Sequence, residues 1–285
     1  MATGVTANAR ADMIDRYAVV GNPIAHSLSP KIHHLFAEQA QQQISYEAIE
    51  LPIDKFSARI RELQAQGMKG LNVTVPFKQQ AWEICDARAP HAETAGAVNT
   101  LVFKQEGEIL GDNTDGAGLV RDLTINHHSL IRHRKILILG AGGATRGVLE
   151  PLLALEPKSL TIVNRTLEKA EDLVRIFQSF GEISSCGYDD LGWQKYDLII
   201  NATAAGLNNE IPPLVDTVLG SDSICYDMMY SLKEPTAFVL WAQTRGAARV
   251  FDGLGMLVEQ AAESFFIWRG VRVETAAIIA DLRQV

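Results

Sequence analysis

The sequence predicts an α/β chain of two domains: a first with a mostly parallel sheet, and a second that is doubly wound, followed by a helical C-terminal segment. Three observations predict it. Runs of strand character alternate with runs of helical spacing, the order that a parallel sheet with crossover helices requires. One apolar strand, "KILILG" at 135–140, leads through a glycine-rich turn into a helix. The length of 285 residues, 47% of them hydrophobic, exceeds the usual size of one domain and supplies apolar side chains for two cores.

The first twelve residues, "MATGVTANARAD", lack the apolar region of a signal peptide, and residues 1–15 read as a flexible extension. From Tyr17, "YAVVGNPI" is extended. Pro30 then opens a helical run, "PKIHHLFAEQA", because proline costs nothing at the first helical position. "SYEAIEL" reads as a strand, 53–66 as a helix and "GLNVTVPF" as a further strand. In that strand Val73 and Val75 alternate, Pro76 stops the ladder for want of an N–H, and Lys78 follows at the tip. These units make a first domain of residues 1–116. The second, over 117–252, holds the strands "KILILG", "SLTIVN", "YDLIIN" and "SICYDMMY", continuous in apolar character as buried parallel strands are. In residues 253–285, Leu254, Leu257, Val258, Ala261, Phe265 and Trp268 fall at helical spacing, on a segment expected to return to the first domain.

Composition excludes several classes of function. A net charge of -8 disfavours nucleic acid, and the one dense basic run, "RHRK" at 132–135, leads straight into an apolar strand. Cys85, Cys186 and Cys225 are far apart and without CxxC spacing, so neither a disulfide framework nor a zinc site is expected, and a reducing cytoplasm fits. The histidine pairs at 33–34 and 127–128 lack chelating spacing, and no metal is expected. No apolar stretch approaches the ~20 residues of a membrane span. Oligomeric state is left open, with a homodimer as the assembly to test.

In "ILILGAGGATRG", Gly140, Ala141, Gly142, Gly143 and Ala144 join the buried strand to a helix. Glycines there permit a tight turn and let backbone N–H groups approach a pyrophosphate, whose charge the positive end of the helix favours. Thr145 stands where the third glycine of GxGxxG would be. The next strand ends in Asn164, Arg165 and Thr166, where an NAD site would often have an acid for the ribose 2′-hydroxyl. Arg165, with Lys169 beyond it, instead suits a 2′-phosphate, which favours NADP over NAD.

Polar groups gather in "HSLSP" at 26–30, "GAVNT" at 96–100 and "GDNTDGAG" at 111–118. Each could serve a cap or a turn. Several in one domain, with a lysine at a strand tip, would suit a small ligand bearing hydroxyls and a carboxylate. Taken in order with "VVGNPIAHSLSPKIHH", "GLNVTVPFK", "GAGGATRG", "NRT", "NAT" at 201–203, "YDMMY" and "DGLGMLVEQAA", the chain from Tyr17 onward resembles the shikimate dehydrogenases. The resemblance implies a Rossmann-like cofactor domain and NADPH-dependent reduction of 3-dehydroshikimate to shikimate, on the route to aromatic amino acids. It implies that Ser27 and Ser29 hold the substrate carboxylate, and that Thr74, Lys78, Asn99, Asp115, Tyr230 and Gln260 contact the ring hydroxyls or carbonyl. Gly140 to Ala144 would hold the pyrophosphate, Asn164, Arg165, Thr166 and Lys169 the adenosine end, with Met228 and Gly253 near the nicotinamide. His34 and Ala204 depart from the family pattern, away from the catalytic pair.

Reduction of a ketone needs a proton at the developing alkoxide, and Lys78, paired with Asp115, is the group expected to supply it. Which member of the pair carries the proton stays open. Gly116 and Gly118 read either as a hinge or as relief of crowding where the domains cross. Two other functions remain to be weighed: a quinate/shikimate dehydrogenase using NAD, and a non-catalytic ligand sensor on the same fold.

Overall fold

The computed structural model of the protein describes residues 14–203, 205 and 210–284. Most of the extension read over 1–15, and Ala204, lie outside the described residues.

Two crossovers begin the first sheet: β1 (Asp15–Gly21), α1 (Ser29–Gln39), β2 (Ile44–Glu50), α2 (Phe56–Ala65) and β3 (Met68–Val73). β1 pairs in parallel with both β2 and β3. α3 (Lys78–Ile84), β4 (Ala87–Arg88), α4 (Pro90–Ala95), β5 (Thr100–Phe103) and β6 (Ile109–Asp112) complete it, in the order β2-β1-β3-β5-β6-β4. β5 runs antiparallel to both neighbours, so the sheet is parallel-rich with one reversed strand inside it. The β5–β6 hairpin escapes the sequence reading because each strand has four residues, too few to show a period.

The reading of "GLNVTVPF" needs correction. β3 ends at Val73, and Val75, expected inside the strand, is 62% exposed. The Thr74 N–H still reaches Val20 O at 2.9 Å, but Pro76 has no N–H to offer and Phe77 N–H turns back to Thr74 O at 3.0 Å. Lys78 therefore opens a helix, α3, rather than standing on a strand tip.

α5 (Asp115–Arg121) leads away from the first sheet and continues as a π-helical turn over Asp122–Asn126. The second sheet follows: β7 (Lys135–Leu139), α6 (Gly143–Leu153), β8 (Ser159–Val163), α7 (Leu167–Phe177), β9 (Ile183–Cys186), β10 (Tyr196–Asn201), β11 (Leu219–Asp227), α8 (Ala237–Thr244) and β12 (Arg249–Phe251). Its order is β12-β11-β10-β7-β8-β9, and every pairing is parallel. Ile136, Ile138, Leu160 and Ile200 pack into one core while Leu137, Leu139, Val163 and Ile199 pack into another. Burial on both faces is why these strands read as continuous apolar runs. The winding reverses beside β7, which leaves a crevice at the carboxyl ends of the strands.

α9 (Leu254–Arg269) and α10 (Ala276–Arg283) close the chain. Leu254, Val258, Ala261 and Phe265 of α9 pack against Ile32 and Phe36 of α1. Gly116 and Gly118 lie within α5: a Cβ on the first would strike Pro151 and the Gly147 carbonyl of α6, and on the second the backbone of α9 at Met256 and Gln260. Of the two readings of these glycines, packing supports relief of crowding. Among the described residues no helix is long and apolar enough to cross a membrane.

Candidate active site

A cavity of about 460 Å³ opens where the end of β3 and the starts of β5, α3 and α5 face the loop after β11 and the start of α9. That volume suits a small ligand, since such pockets run from about 300 to 1,000 Å³. The chain brings Ser27, Ser29, Thr74, Lys78, Asn99, Asp115, Tyr230 and Gln260 to its wall. Ala144, Met228 and Gly253, from the side of the second sheet, line it too.

Lys78 and Asp115 each open a helix, and their side chains meet with Nζ donating to Oδ2 at 2.5 Å. The carboxylate is 7% exposed and the lysine 21%, so the pair is no solvated surface bridge. Asn99 Nδ2 donates to the other carboxylate oxygen, Oδ1, at 2.8 Å. An ammonium has three donors, which leaves Lys78 two beyond its bond to Asp115.

At the start of α1, Ser29 N–H donates to Ser27 Oγ at 3.3 Å. That bond takes the first amide of α1, Pro30 has none, and Ile32 N–H reaches Leu28 O at 3.0 Å, so the two hydroxyls are the donors this helix start offers a carboxylate. Burial raises the Tyr230 phenol above its ordinary value and keeps it a donor. Gly253 is required where it stands: a Cβ there would run into the Met228 backbone.

The glycine turn has the form a pyrophosphate needs. Gly140 has φ +99, which favours glycine, and Cβ atoms on Gly142 or Gly143 would meet nothing. No side chain caps α6, so its first amides are free to bind an anion. Thr145, in place of the third glycine, is buried and donates its hydroxyl to Gly140 O at 2.8 Å, which ties the turn together. Asn164, Arg165, Thr166 and Lys169 lie away from the cavity, just past β8 and on the first turn of α7, with Arg165, Thr166 and Lys169 exposed. Asn164 Nδ2 donates to Thr166 O at 2.7 Å and shapes that corner.

Asn72, His26, Met229 and Leu257 also line the cavity and are missed by the sequence reading. Asn72 carries the clearest signal, a polar residue at a core position of an apolar strand.

The family model described as "Shikimate dehydrogenase substrate binding domain" matches residues 19–101. "Shikimate / quinate 5-dehydrogenase" matches 122–209, and "Shikimate 5'-dehydrogenase C-terminal domain" matches 253–283. A shikimate dehydrogenase (NADP(+)) of Alkalilimnicola ehrlichii is 56% identical over 271 residues, covering 95% of this chain and 99% of that one. Among solved structures, an Ael1 enzyme from Pseudomonas putida is 44% identical with a TM-score of 0.88, over 94% of this chain and 98% of its own. The shikimate 5-dehydrogenase of Thermus thermophilus, solved in complex with NADP(H) and shikimate, is 29% identical with a TM-score of 0.84, over 95% and 99%. By sequence, by domain content and by fold, this chain belongs to the shikimate dehydrogenase family.

Proposed function

We propose that the protein is an NADP-dependent oxidoreductase that interconverts 3-dehydroshikimate and shikimate on the route to aromatic amino acids. The observation that carries this is the Lys78–Asp115 pair, set in a cavity that receives residues from both sheets. Ser27 and Ser29 hold the substrate carboxylate, while Thr74, Asn99, Tyr230 and Gln260 bind the ring hydroxyls or carbonyl. Gly140 to Ala144 bind the pyrophosphate, Asn164, Arg165, Thr166 and Lys169 the adenosine end, and Met228 and Gly253 flank the nicotinamide. NADP(H), when bound, gives or takes the hydride.

The chain's own groups manage the proton. Lys78 Nζ lies against the reacting oxygen, stabilises alkoxide character there and exchanges a proton with it. Asp115 orients the ammonium through Oδ2. In this division residues 1–116 bind substrate, 117–252 bind cofactor, and 253–285 return to the substrate domain. The three separated free cysteines fit a reducing cytoplasm, and a homodimer is the assembly to test by analytical ultracentrifugation.

The test follows NADPH formation with shikimate, comparing NADP with NAD, in wild type and Lys78→Ala. Wild type should reduce NADP in a shikimate-dependent way. Lys78→Ala should lose about 10²–10⁴ in kcat with a modest change in KM, because the lost interaction strengthens as charge develops. No shikimate-dependent reduction with either cofactor overturns the reading.

A further inference from the structure

The carboxylate of Asp115 ends a longer hydrogen-bonded chain. Asn99 Nδ2 donates to Asp115 Oδ1, and the orientation of that amide is fixed by the Thr114 backbone N–H, which can only donate and points at Asn99 Oδ1 from 2.9 Å. Thr100 Oγ1 also donates to Asn99 Oδ1, at 2.8 Å, and has Ser264 Oγ 2.8 Å away. Asn72 Nδ2 reaches Ser264 Oγ at 2.9 Å and Thr100 Oγ1 at 3.2 Å. Its amide is fixed as well, because the same nitrogen faces the Asn99 carbonyl, an acceptor only, at 3.2 Å. Tyr46 OH donates to Asn72 Oδ1 at 2.7 Å. Followed from Tyr46 through Asn72, Thr100 and Asn99, each donor faces the next acceptor and the run ends on the carboxylate, while Ser264 Oγ accepts from Asn72 beside it and also reaches the Gln260 carbonyl at 3.1 Å.

All six side chains are buried. In such surroundings an unmatched polar group is costly, and aligned hydrogen bonds strengthen one another by roughly 10–30% each. Packing holds the far end. The His33 ring lies flat on Tyr46 at 4.1 Å and 8°, and burial keeps this imidazole neutral, its pKa pushed down to about 3. Burial also raises the Tyr46 phenol well above its ordinary value, so it keeps the proton it donates.

We propose that Thr100, Ser264, Asn72 and Tyr46 are positioning residues, an aligned chain that holds Asn99 against Asp115 Oδ1 and so leaves Oδ2 alone to face Lys78. A proton on Oδ1 would meet the Asn99 amide N–H head on, so proton traffic stays on the Lys78 side of the carboxylate. This inference rests on the assignment of Lys78 and Asp115 to the chemistry.

Thr100→Val keeps the side-chain shape and removes the hydroxyl, whereas Thr100→Ser keeps the hydroxyl. Steady-state rates with shikimate and NADP, with thermal melts to check folding, separate the two. Thr100→Val should lower kcat roughly fivefold to tenfold with KM within about twofold, and Thr100→Ser should stay within about twofold of wild type. Wild-type kcat in Thr100→Val overturns the chain, as does an equal loss in Thr100→Ser or a loss carried by KM. If Thr100→Val does not fold, Ser264→Ala decides on the same kcat criterion. Lys78→Ala in the same assay separates the two levels. If that variant keeps its kcat, the functional reading falls and the chain's role with it; if it loses turnover while Thr100→Val does not, the chain alone is wrong.

Discussion

Arg165 stands exposed just beyond the end of β8, the kind of strand end at which doubly wound dinucleotide-binding folds receive an adenosine ribose. A guanidinium there offers a planar, permanently charged fork to a 2′-phosphate that NAD does not carry. Arg165→Ala should therefore cost about 1.5–3 kcal/mol of NADP affinity, roughly tenfold to a hundredfold, and leave NAD nearly untouched. The ratio of kcat/KM for the two cofactors measures it, and equal weakening of both would make Arg165 structural. This residue and Lys78 stand out in the sequence because each sits in a motif whose proposed chemistry it completes. Thr100 and Ser264 do not, since a lone hydroxyl in an apolar run does not say what it will meet.

At the scale of elements, the crossing of α5 with α9 sets the position of Gln260 in the cavity wall. A Cβ on Gly118 would lie 2.8 Å from Gln260 N and 2.9 Å from Met256 O, backbone atoms that yield only if the helices part. Gly118→Ala should destabilise the protein by about 1–3 kcal/mol and raise KM for shikimate. Gly142→Ala is the contrast: its Cβ meets nothing in the protein, so the melting temperature should hold while KM for NADP rises. Calorimetry with cofactor titrations distinguishes them, and an unchanged melting temperature in Gly118→Ala would mean a loose crossing. Long elements such as α9, with 16 residues, show their period in sequence. The end of β3 does not, because Pro76 and a tertiary turn decide it.

Across the whole molecule, two buried carboxylates, Asp122 and Glu259, tie α5 and the turn after it to β11 and α9. Tyr226 OH donates to Asp122 Oδ2 at 2.6 Å, and Asn126 Nδ2 bridges Asp122 Oδ1 at 2.9 Å and Glu259 Oε1 at 3.0 Å. Arg121 Nε and Thr275 Oγ1 also donate to Glu259, at 2.9 and 2.6 Å. Burial alone would raise the pKa of Asp122, but the His127 ring 3.5 Å away and hydrogen bonds from Tyr226 and Asn126 outweigh it and the net shift is downward. A carboxyl depressed in the folded state stabilises fully above its unfolded value, and that contribution is lost as pH falls through the lower folded value. Tyr226→Phe should thus cost about 1.5–3 kcal/mol near neutral pH, and its melting curve should converge on wild type in acid. Melts across pH test this; a gap that stays constant into acid would show that Asp122 is not the titrating partner.

Residue order by itself determined the alternation of strands and helices, the parallel-rich α/β class, the glycine-rich turn from strand to helix and the choice of NADP, because each depends on neighbours a few positions apart. Tertiary structure decided the rest: the reversed β5, the helical start at Lys78, and which polar groups share one cavity. Lys78 and Asp115 are 37 positions apart and Thr100 and Ser264 are 164 apart. A buried polar group is tolerated only when a partner meets it, and those partners meet only once α5 and α9 pack against the first sheet.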